Sequence, residues 1–409
     1  MTNENPSFEI ILSEVLNKSL CFSPSEIKAL LAITRALIGS ASFSLRKVAR
    51  RSDKKFSRNF LAKTLVKYAT AQDKLVQVTL NEFQDDFRKV SKIFVLLDDT
   101  LIKKRGSQIF GSNKWFDHAQ GRQIQSICLV NVAVVINDQV LFILPWLLLK
   151  TQNWALFGRT VRNEQDGKTN AGILLIQGFI RWFEAIDIPI SKVVVMADAW
   201  FSSKTMMAFL KLEQLNCRID SKKNYRVQEP DHEAIRKRNE RRRGRKRKKF
   251  VKWTALETYL GHPSQWHYFT DSEKNQRVFY KTVIVTLKTS GRARVYAFYR
   301  EQSSSVKFIL TPAKRLHPPS PKTVYRDYQS RWRIEEAHRD LKQHFGIGKC
   351  QNRAGRVIHG FFGIVCLAYG IWKRWAMKRG VRVGVTPKCP TWAENYHHTY
   401  IRSNYGSMT

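Results

Sequence analysis

Ile93-Phe94-Val95-Leu96-Leu97-Asp98-Asp99-Thr100 is the stretch from which the rest of the chain can be read. Five consecutive apolar residues without helical spacing suit a strand covered on both faces. Carboxylates directly behind such a strand stand at a sheet edge, where the sites of α/β folds collect. Val193-Val194-Val195-Met196 repeats the arrangement, with Ala197-Asp198 behind it. If two such strands lie side by side, Asp98 or Asp99 comes close to Asp198, which is unfavourable unless a cation lies between them. Each Asp could instead cap the turn that follows it.

Outward from these strands, Ile124–Val135 and Val140–Leu144 flank Ile136-Asn137-Asp138-Gln139, a hairpin signal. Ala171–Ile186 and Ser203–Leu212 read as helices. Strand, hairpin, helix, strand, helix is the order of an α/β core. Residues 1–86 read as helical, opening one helix at Ser23-Pro24-Ser25-Glu26 and stopping it at Gly39. Ser44–Arg51 and the helix of Phe60, Leu61 and Leu65 are joined near Lys54-Lys55. Two short helices with a basic connection fit a helix-turn-helix reader of the major groove. A small bundle with a solvated basic face is the alternative. The expected segments are a helical N-terminal DNA-binding region over 1–86 and a first core part over 87–223. A β-rich insertion over 224–322, a second core part over 323–378 and a short tail over 379–409 follow.

Charge narrows the partners. Against 33 Asp and Glu stand 71 Lys and Arg, a net charge of +38 over 409 residues. An enzyme of small acidic substrates needs only a local cation cluster, whereas a surplus spread along the chain suits a polyanion such as double-stranded DNA. Within the insertion, Arg236–Lys249 concentrates Arg236, Lys237, Arg241, Arg242, Arg243, Arg245, Lys246 and Arg247 in one block, which is expected to settle on nucleic acid. The longest apolar candidate for a membrane span, Val140–Lys150, falls short of the roughly 20 residues needed and carries Pro145. The first residues show no basic segment leading into an apolar core, so no secretory signal is expected. Six cysteines without a CxxC pair argue against a zinc ribbon or disulfide framework and fit a reducing cytoplasm, with the nucleoid as the expected address. Cys389 with His397 and His398 reads as an exposed tail rather than a metal site.

A third acid stands in Tyr325–Lys342. On a continuous helix at about 100° per residue, Tyr328, Arg331, Glu335 and Lys342 share a stripe about 60° wide. Ile334, Ala337, Leu341 and Phe345 form the packing face beside it, and Glu336, Asp340 and Gln343 point away. A stripe of hydroxyl, cations and carboxylate is poor core material and a good groove floor for metal and phosphate. The Arg331–Glu335 pair by itself, worth about 0.3–0.5 kcal/mol, would not explain Tyr328 and Lys342 lining up as well.

Tyr328, Arg331, Glu335 and Lys342, with Asp98-Asp99-Thr100 after one strand and Asp198 after another, resemble the signature of the DDE transposases of bacterial cut-and-paste insertion sequences. The resemblance is to the branch marked by Tyr-Arg-Glu-Lys, and covers roughly residues 90–375. It implies an α/β, RNase H-like catalytic core interrupted by the β-rich insertion, an N-terminal DNA-binding region, and a homodimer that pairs two element ends. It further implies two Mg²⁺ ions, with Mn²⁺ as a substitute, on Asp98, Asp198 and Glu335. Asp99 is the alternative first ligand, since Asp98-Asp99-Thr100 aligns in either register. Tyr328, Arg331 and Lys342 would grip phosphates, and Phe308, on an insertion strand, would stack on a flipped base unless it simply packs in the core. The implied activity is cleavage at element ends and joining of 3′-hydroxyls to target DNA. A catalytically inactive or co-opted DNA-binding copy, and an RNase H-like nuclease without strand transfer, are the alternatives.

Overall fold

The computed structural model describes residues 8–18, 22–38, 44–51, 56–70, 72–106, 108–148, 164–230, 251–301, 303, 305–313, 318–350 and 352–378. The basic block Arg236–Lys249, Gly39, Lys54-Lys55 and the tail from residue 379 lie outside them. The chain is mixed α/β and divides into two compact units. The first gathers the described residues up to Lys192 with those from Trp332 onward, and the second spans Val193–Arg331.

The first unit opens with helices α1 (Phe8–Lys18), α2 (Pro24–Ile38), α3 (Leu45–Arg51), α4 (Arg58–Thr70), α5 (Gln72–Asn81) and α6 (Gln84–Lys89). Glu26 Oε2 accepts from the Ser23 amide (2.9 Å) while Ser23 Oγ accepts from the Glu26 amide (3.4 Å). This reciprocal pair satisfies donors that the first turn of a helix leaves open. Four strands follow: β1 (Ile93–Lys103), β2 (Asn113–Asp117), β3 (Arg122–Ile136) and β4 (Gln139–Leu148). β1 and β2 each pair antiparallel with β3, and so does β4, through a hairpin whose Asn137 and Asp138 take positive φ. Left-handed backbone at both central positions matches the right-handed twist of the strands they join, so the tetrad read as a turn is one. Helix α7 (Glu164–Ala185) packs on β3 and β4.

The second unit begins with β5 (Val193–Ala197), α8 (Lys204–Leu212), β6 (Asn216–Ser221), β7 (Arg226–Pro230), β8 (Val251–Ala255) and α9 (Leu256–Leu260). It continues with β9 (His267–Asp271), β10 (Gln276–Leu287), β11 (Gly291–Arg300), β12 (Lys307–Pro312) and α10 (Pro321–Gln329). β5 and β6 are parallel; the other pairings, β6–β12–β11–β10 and onward to β7, β8 and β9, are antiparallel. Back in the first unit, α11 (Arg333–Gln343) packs on β1, β3 and β4, and α12 (Gly355–Lys378) is the central helix against α4, α5 and β4.

Three sequence expectations change here. The continuous helix drawn through Tyr325–Lys342 is two helices, parted by a tight turn at Ser330–Trp332 in which the Ser330 amide bonds back to the Asp327 and Tyr328 carbonyls. Asp340, expected to point away, is buried and lies 3.6 Å from the Lys373 ammonium of α12. The apolar stretch that matters is Gly355–Met377 rather than Val140–Lys150. It is long and apolar enough to cross a membrane, yet most of it is buried inside the protein. Its surface is cut to fit: a Cβ on Gly360 would come within 1.8 Å of the Leu65 carbonyl oxygen, so α4 and α12 approach at backbone distance only because that position is glycine.

Candidate active site

Strand β1 does not stop at its acids. It pairs with β3 continuously as far as Lys103, so Asp98 and Asp99 sit mid-strand rather than at its end. Successive side chains on a strand point to opposite faces, and the two acids part accordingly. Asp99 Oδ2 accepts from Lys168 Nζ of α7 (3.0 Å), and the Cys128 thiol lies 3.6 Å from the same oxygen. Lys168 also lies over the Trp115 ring, so Asp99 is tied into the face that α7 covers.

Asp98 takes the other face. Its cross-strand neighbour is Asn131, and directly opposed residues share a face. The Asn131 amide nitrogen lies 3.0 Å from His338 Nε2 on α11, so this is the face that α11 covers. An amide nitrogen can only donate, so Nε2 accepts and the ring carries its proton on Nδ1. Burial pushes the His338 pKa down to about 3, which keeps the ring neutral. Glu335 and Lys342 are seven residues apart on α11, about 20° around a helix. The Lys342 ammonium is held below the usual lysine range by burial, with Asp117 and Asp98 acting in the opposite sense. Asp98, Glu335 and Lys342 therefore belong to the first unit, with Asp98 and Lys342 close enough to feel each other's charge.

Two ties hold α11 at its ends. Arg333 Nη1 bonds Glu336 (2.9 Å), and its Nε lies 3.9 Å from Asp138 in the β3–β4 turn. Beyond the helix, the buried Lys104 ammonium donates to the carbonyls of Gly348 (3.1 Å) and Cys350 (2.7 Å). Ile334, Ala337 and Leu341 are buried, as read from the sequence.

The second unit carries Asp198, Tyr328, Arg331 and Phe308. Asp198 caps the short turn after β5, accepting from the Trp200 amide (3.0 Å). Tyr225 fastens that turn, donating to the Ala199 carbonyl (2.9 Å). The parallel register sets Ala197 beside Ile219, so Asp198, just past β5, and Asp220, on β6, are neighbours, and the charges of both reach the Tyr225 hydroxyl. Asp220 was not singled out in the sequence because Cys217-Arg218-Ile219 is no buried apolar run; only the parallel register exposes it. Lys307 donates to Asp220 (2.6 Å) and stands 5.4 Å from the Tyr328 ring centre, with Arg331 at 5.9 Å from the same centre. Burial first, and then Asp220, push the Tyr328 hydroxyl above its usual range. Arg218 and Asp327, both buried and 3.0 Å apart, pin α10 to β6 and so place Tyr328. Of the stripe drawn through Tyr328, Arg331, Glu335 and Lys342, the first two belong to the second unit and the last two share one face of α11 in the first. Of the two readings of Phe308, packing in the core is the one its burial supports. It is 1% exposed in β12, paired with Ala297 and Ser221, and no base can reach a ring so enclosed.

Carboxylate oxygens without His or Cys suit hard divalent cations. Among the described residues no group of three His, Cys, Asp or Glu stands close enough to hold a metal ion. Asp98 and Glu335 lie in one unit and Asp198 in the other.

The family described as DDE superfamily endonuclease matches residues 23–282. The chain belongs to that family. No curated protein matches it. As a DDE superfamily endonuclease, it is an enzyme of nuclease or transposase type, with DNA as the indicated substrate and divalent metal as the ion such nucleases generally use. The matched stretch contains Asp98 and Asp198 and ends before α10 and α11.

Proposed function

We propose that the protein is a DNA transposase of the insertion-sequence type, cutting at element ends and joining the freed 3′-hydroxyls to target DNA. The observation that carries this reading is the partition at β1: Asp98 faces the helix of Glu335 and Lys342, while Asp99 is engaged with Lys168. Asp98, Asp198 and Glu335 are then the residues that would hold two Mg²⁺ ions, with Mn²⁺ as a substitute. When bound, such ions supply an activated water and charge stabilisation at the leaving oxygen.

The remaining roles fall to this chain's own groups. Asp198 is fixed by the Trp200 amide and the Tyr225 clamp, so its carboxylate needs little ordering before substrate arrives. Arg331 and Lys342 offer charge-assisted bonds to phosphate oxygens, and Tyr328 offers a hydroxyl kept protonated. Exposed Arg58, Lys63 and Lys67 on α4, together with the block Arg236–Lys249, would add sequence-independent contacts to duplex DNA. Two copies would pair two ends in a homodimer acting on the nucleoid.

Glu335→Gln tests the reading. In Mg²⁺, cleavage of a supercoiled plasmid carrying the element's ends should fall at least about 10³-fold while binding to those ends is unchanged. Retained cleavage would overturn it. Binding without cleavage in the native chain would favour the co-opted DNA-binding copy.

A further inference from the structure

We infer that Asn131 and His338 are positioning residues of the strand-cleavage site, a reading that rests on the proposed function. The pair joins the strand position opposite Asp98 to the turn of α11 that carries Glu335. Asn131 is 1% exposed and His338 is 7% exposed. The Asn131 amide nitrogen serves both the Leu129 carbonyl (3.2 Å) and His338 Nε2 (3.0 Å). Its Oδ1 is buried with no hydrogen-bond partner.

Stability gives no reason for such a pair. Replacing both partners of a buried hydrogen bond by apolar groups of similar shape is nearly neutral or stabilising, whereas removing one leaves the other unsatisfied. On the pair's own face its neighbours along β3 are Ile127, Leu129 and Ala133, all buried, and Ile334 and Leu341, a turn either side of His338 on α11, are buried as well. What the bond does fix is register. His338 lies three residues after Glu335 and four before Lys342, on neighbouring turns of one face. The bond sets both the rotation of α11 and its height along β3. Apolar packing holds a helix against a sheet but is non-directional, so it does not choose one rotation as a hydrogen bond does. Misplacement of a reacting group by about 1 Å costs on the order of 10²-fold in rate.

The test uses the full chain as Asn131→Leu/His338→Leu, His338→Leu alone, and His338→Gln, whose amide oxygen can accept where Nε2 did. Thermal unfolding, plasmid cleavage in Mg²⁺ and Mn²⁺ affinity by titration are measured for each. The double variant should melt close to the native protein, yet cleave about 10²-fold more slowly and bind Mn²⁺ about tenfold more weakly. His338→Gln should return cleavage to within about threefold of native, as positioning demands. A double variant that cleaves and binds Mn²⁺ like the native protein overturns the proposal. Should that variant fail to fold, His338→Met is set against His338→Gln. Equal melting with slower cleavage by Met supports positioning, and equal cleavage overturns it. If the native protein cleaves no better than Glu335→Gln, the strand-cleavage reading fails by itself. The Mn²⁺ affinities of native and double variant then decide the positioning role, a tenfold loss supporting it and equality overturning it.

Discussion

The two units treat their acids in opposite ways. In the first, Asp98 and Asp99 are adjacent in sequence and are sent to opposite faces, because β1 runs on past them. In the second, Asp198 just past β5 and Asp220 on β6 are far apart in sequence and become neighbours, because β5 and β6 pair in parallel with Ala197 beside Ile219. Strand periodicity separates what the sequence joins, and parallel register joins what the sequence separates. Nearness along the chain is therefore a poor guide to which carboxylates can act together.

The largest expected effect breaks the first half of this comparison. Asp98→Asn should lower cleavage by at least about 10³-fold with little change in melting, as losing a group that acts on the reacting atoms does. Asp99→Asn should do the reverse. Its carboxylate is half-buried against Lys168, so neutralising it removes a charged partner of that ammonium and costs about 1–3 kcal/mol, while cleavage stays within about threefold of native because no reacting group is lost. Plasmid cleavage beside thermal melting separates the two. Equal losses of cleavage would mean that both faces of β1 serve the reaction.

Asp220→Asn sharpens the second half. Two effects oppose each other there. Removing a negative charge beside Lys307, Tyr328 and Arg331 strengthens attraction for phosphate. It also frees Lys307 from the position it holds over the Tyr328 ring. We expect turnover about tenfold lower with a KM for DNA no higher than native, the signature of lost orientation rather than lost binding. A fall as deep as that of Asp198→Asn would instead make Asp220 a ligand.

Much of this was legible beforehand. The continuous apolar run Ile93–Leu97, the hairpin tetrad and the helix start at Ser23–Glu26 are local signals, and local signals survive into structure because backbone geometry enforces them. Asp98, Asp99, Asp198 and Glu335 were named from strand context and helical phase. What was not legible depended on partners distant in sequence. The turn at Ser330–Trp332 contains no Gly or Pro to announce it. Asp340 is buried because Lys373 meets it from α12, and Asp220 matters because of a strand it does not touch in sequence. For Phe308 the sequence leaves base stacking and core packing both open, because a strand alone does not say which of its faces is covered.

The units also differ in how they should answer to acid. In the first, burial holds His338 at about 3 and His359 at about 4, both neutral when folded. Unfolded, each takes a proton near pH 6.5. Below that pH the unfolded chain binds more protons, so stability is full above about 6.5 and is lost as pH falls toward the folded values. At pH 5 each ring accounts for roughly 1–2 kcal/mol of that loss. His338→Gln and His359→Gln should each flatten the dependence of melting temperature on pH between 6.5 and 4. In the second unit Tyr225, Tyr325 and Tyr328 are raised, mainly by burial, and are silent in this window. Acid melting unchanged by both substitutions would mean that the two rings are protonated without unfolding.

The smallest expected effect concerns Phe308. Its ring sits in a sheet interior with Leu310 and Val295 nearby on the same face, by strand alternation and the pairing of β11 with β12. Phe308→Leu keeps an apolar side chain but loses volume, and cores answer such a change with about 1–2 kcal/mol of destabilisation. Tyr328 lies on α10, which covers the opposite face of these strands, against Val278, Tyr296, Phe298 and Ile309. A small collapse around position 308 should therefore leave Tyr328, and the affinity for element ends, unmoved. The contrast is the useful part. If Phe308→Leu weakens binding to a duplex with an unpaired base near the cleavage point while leaving binding to intact duplex alone, then β12 must open to expose the ring. The insertion sheet would in that case be a moving part rather than the rigid support that the buried register of β12 describes.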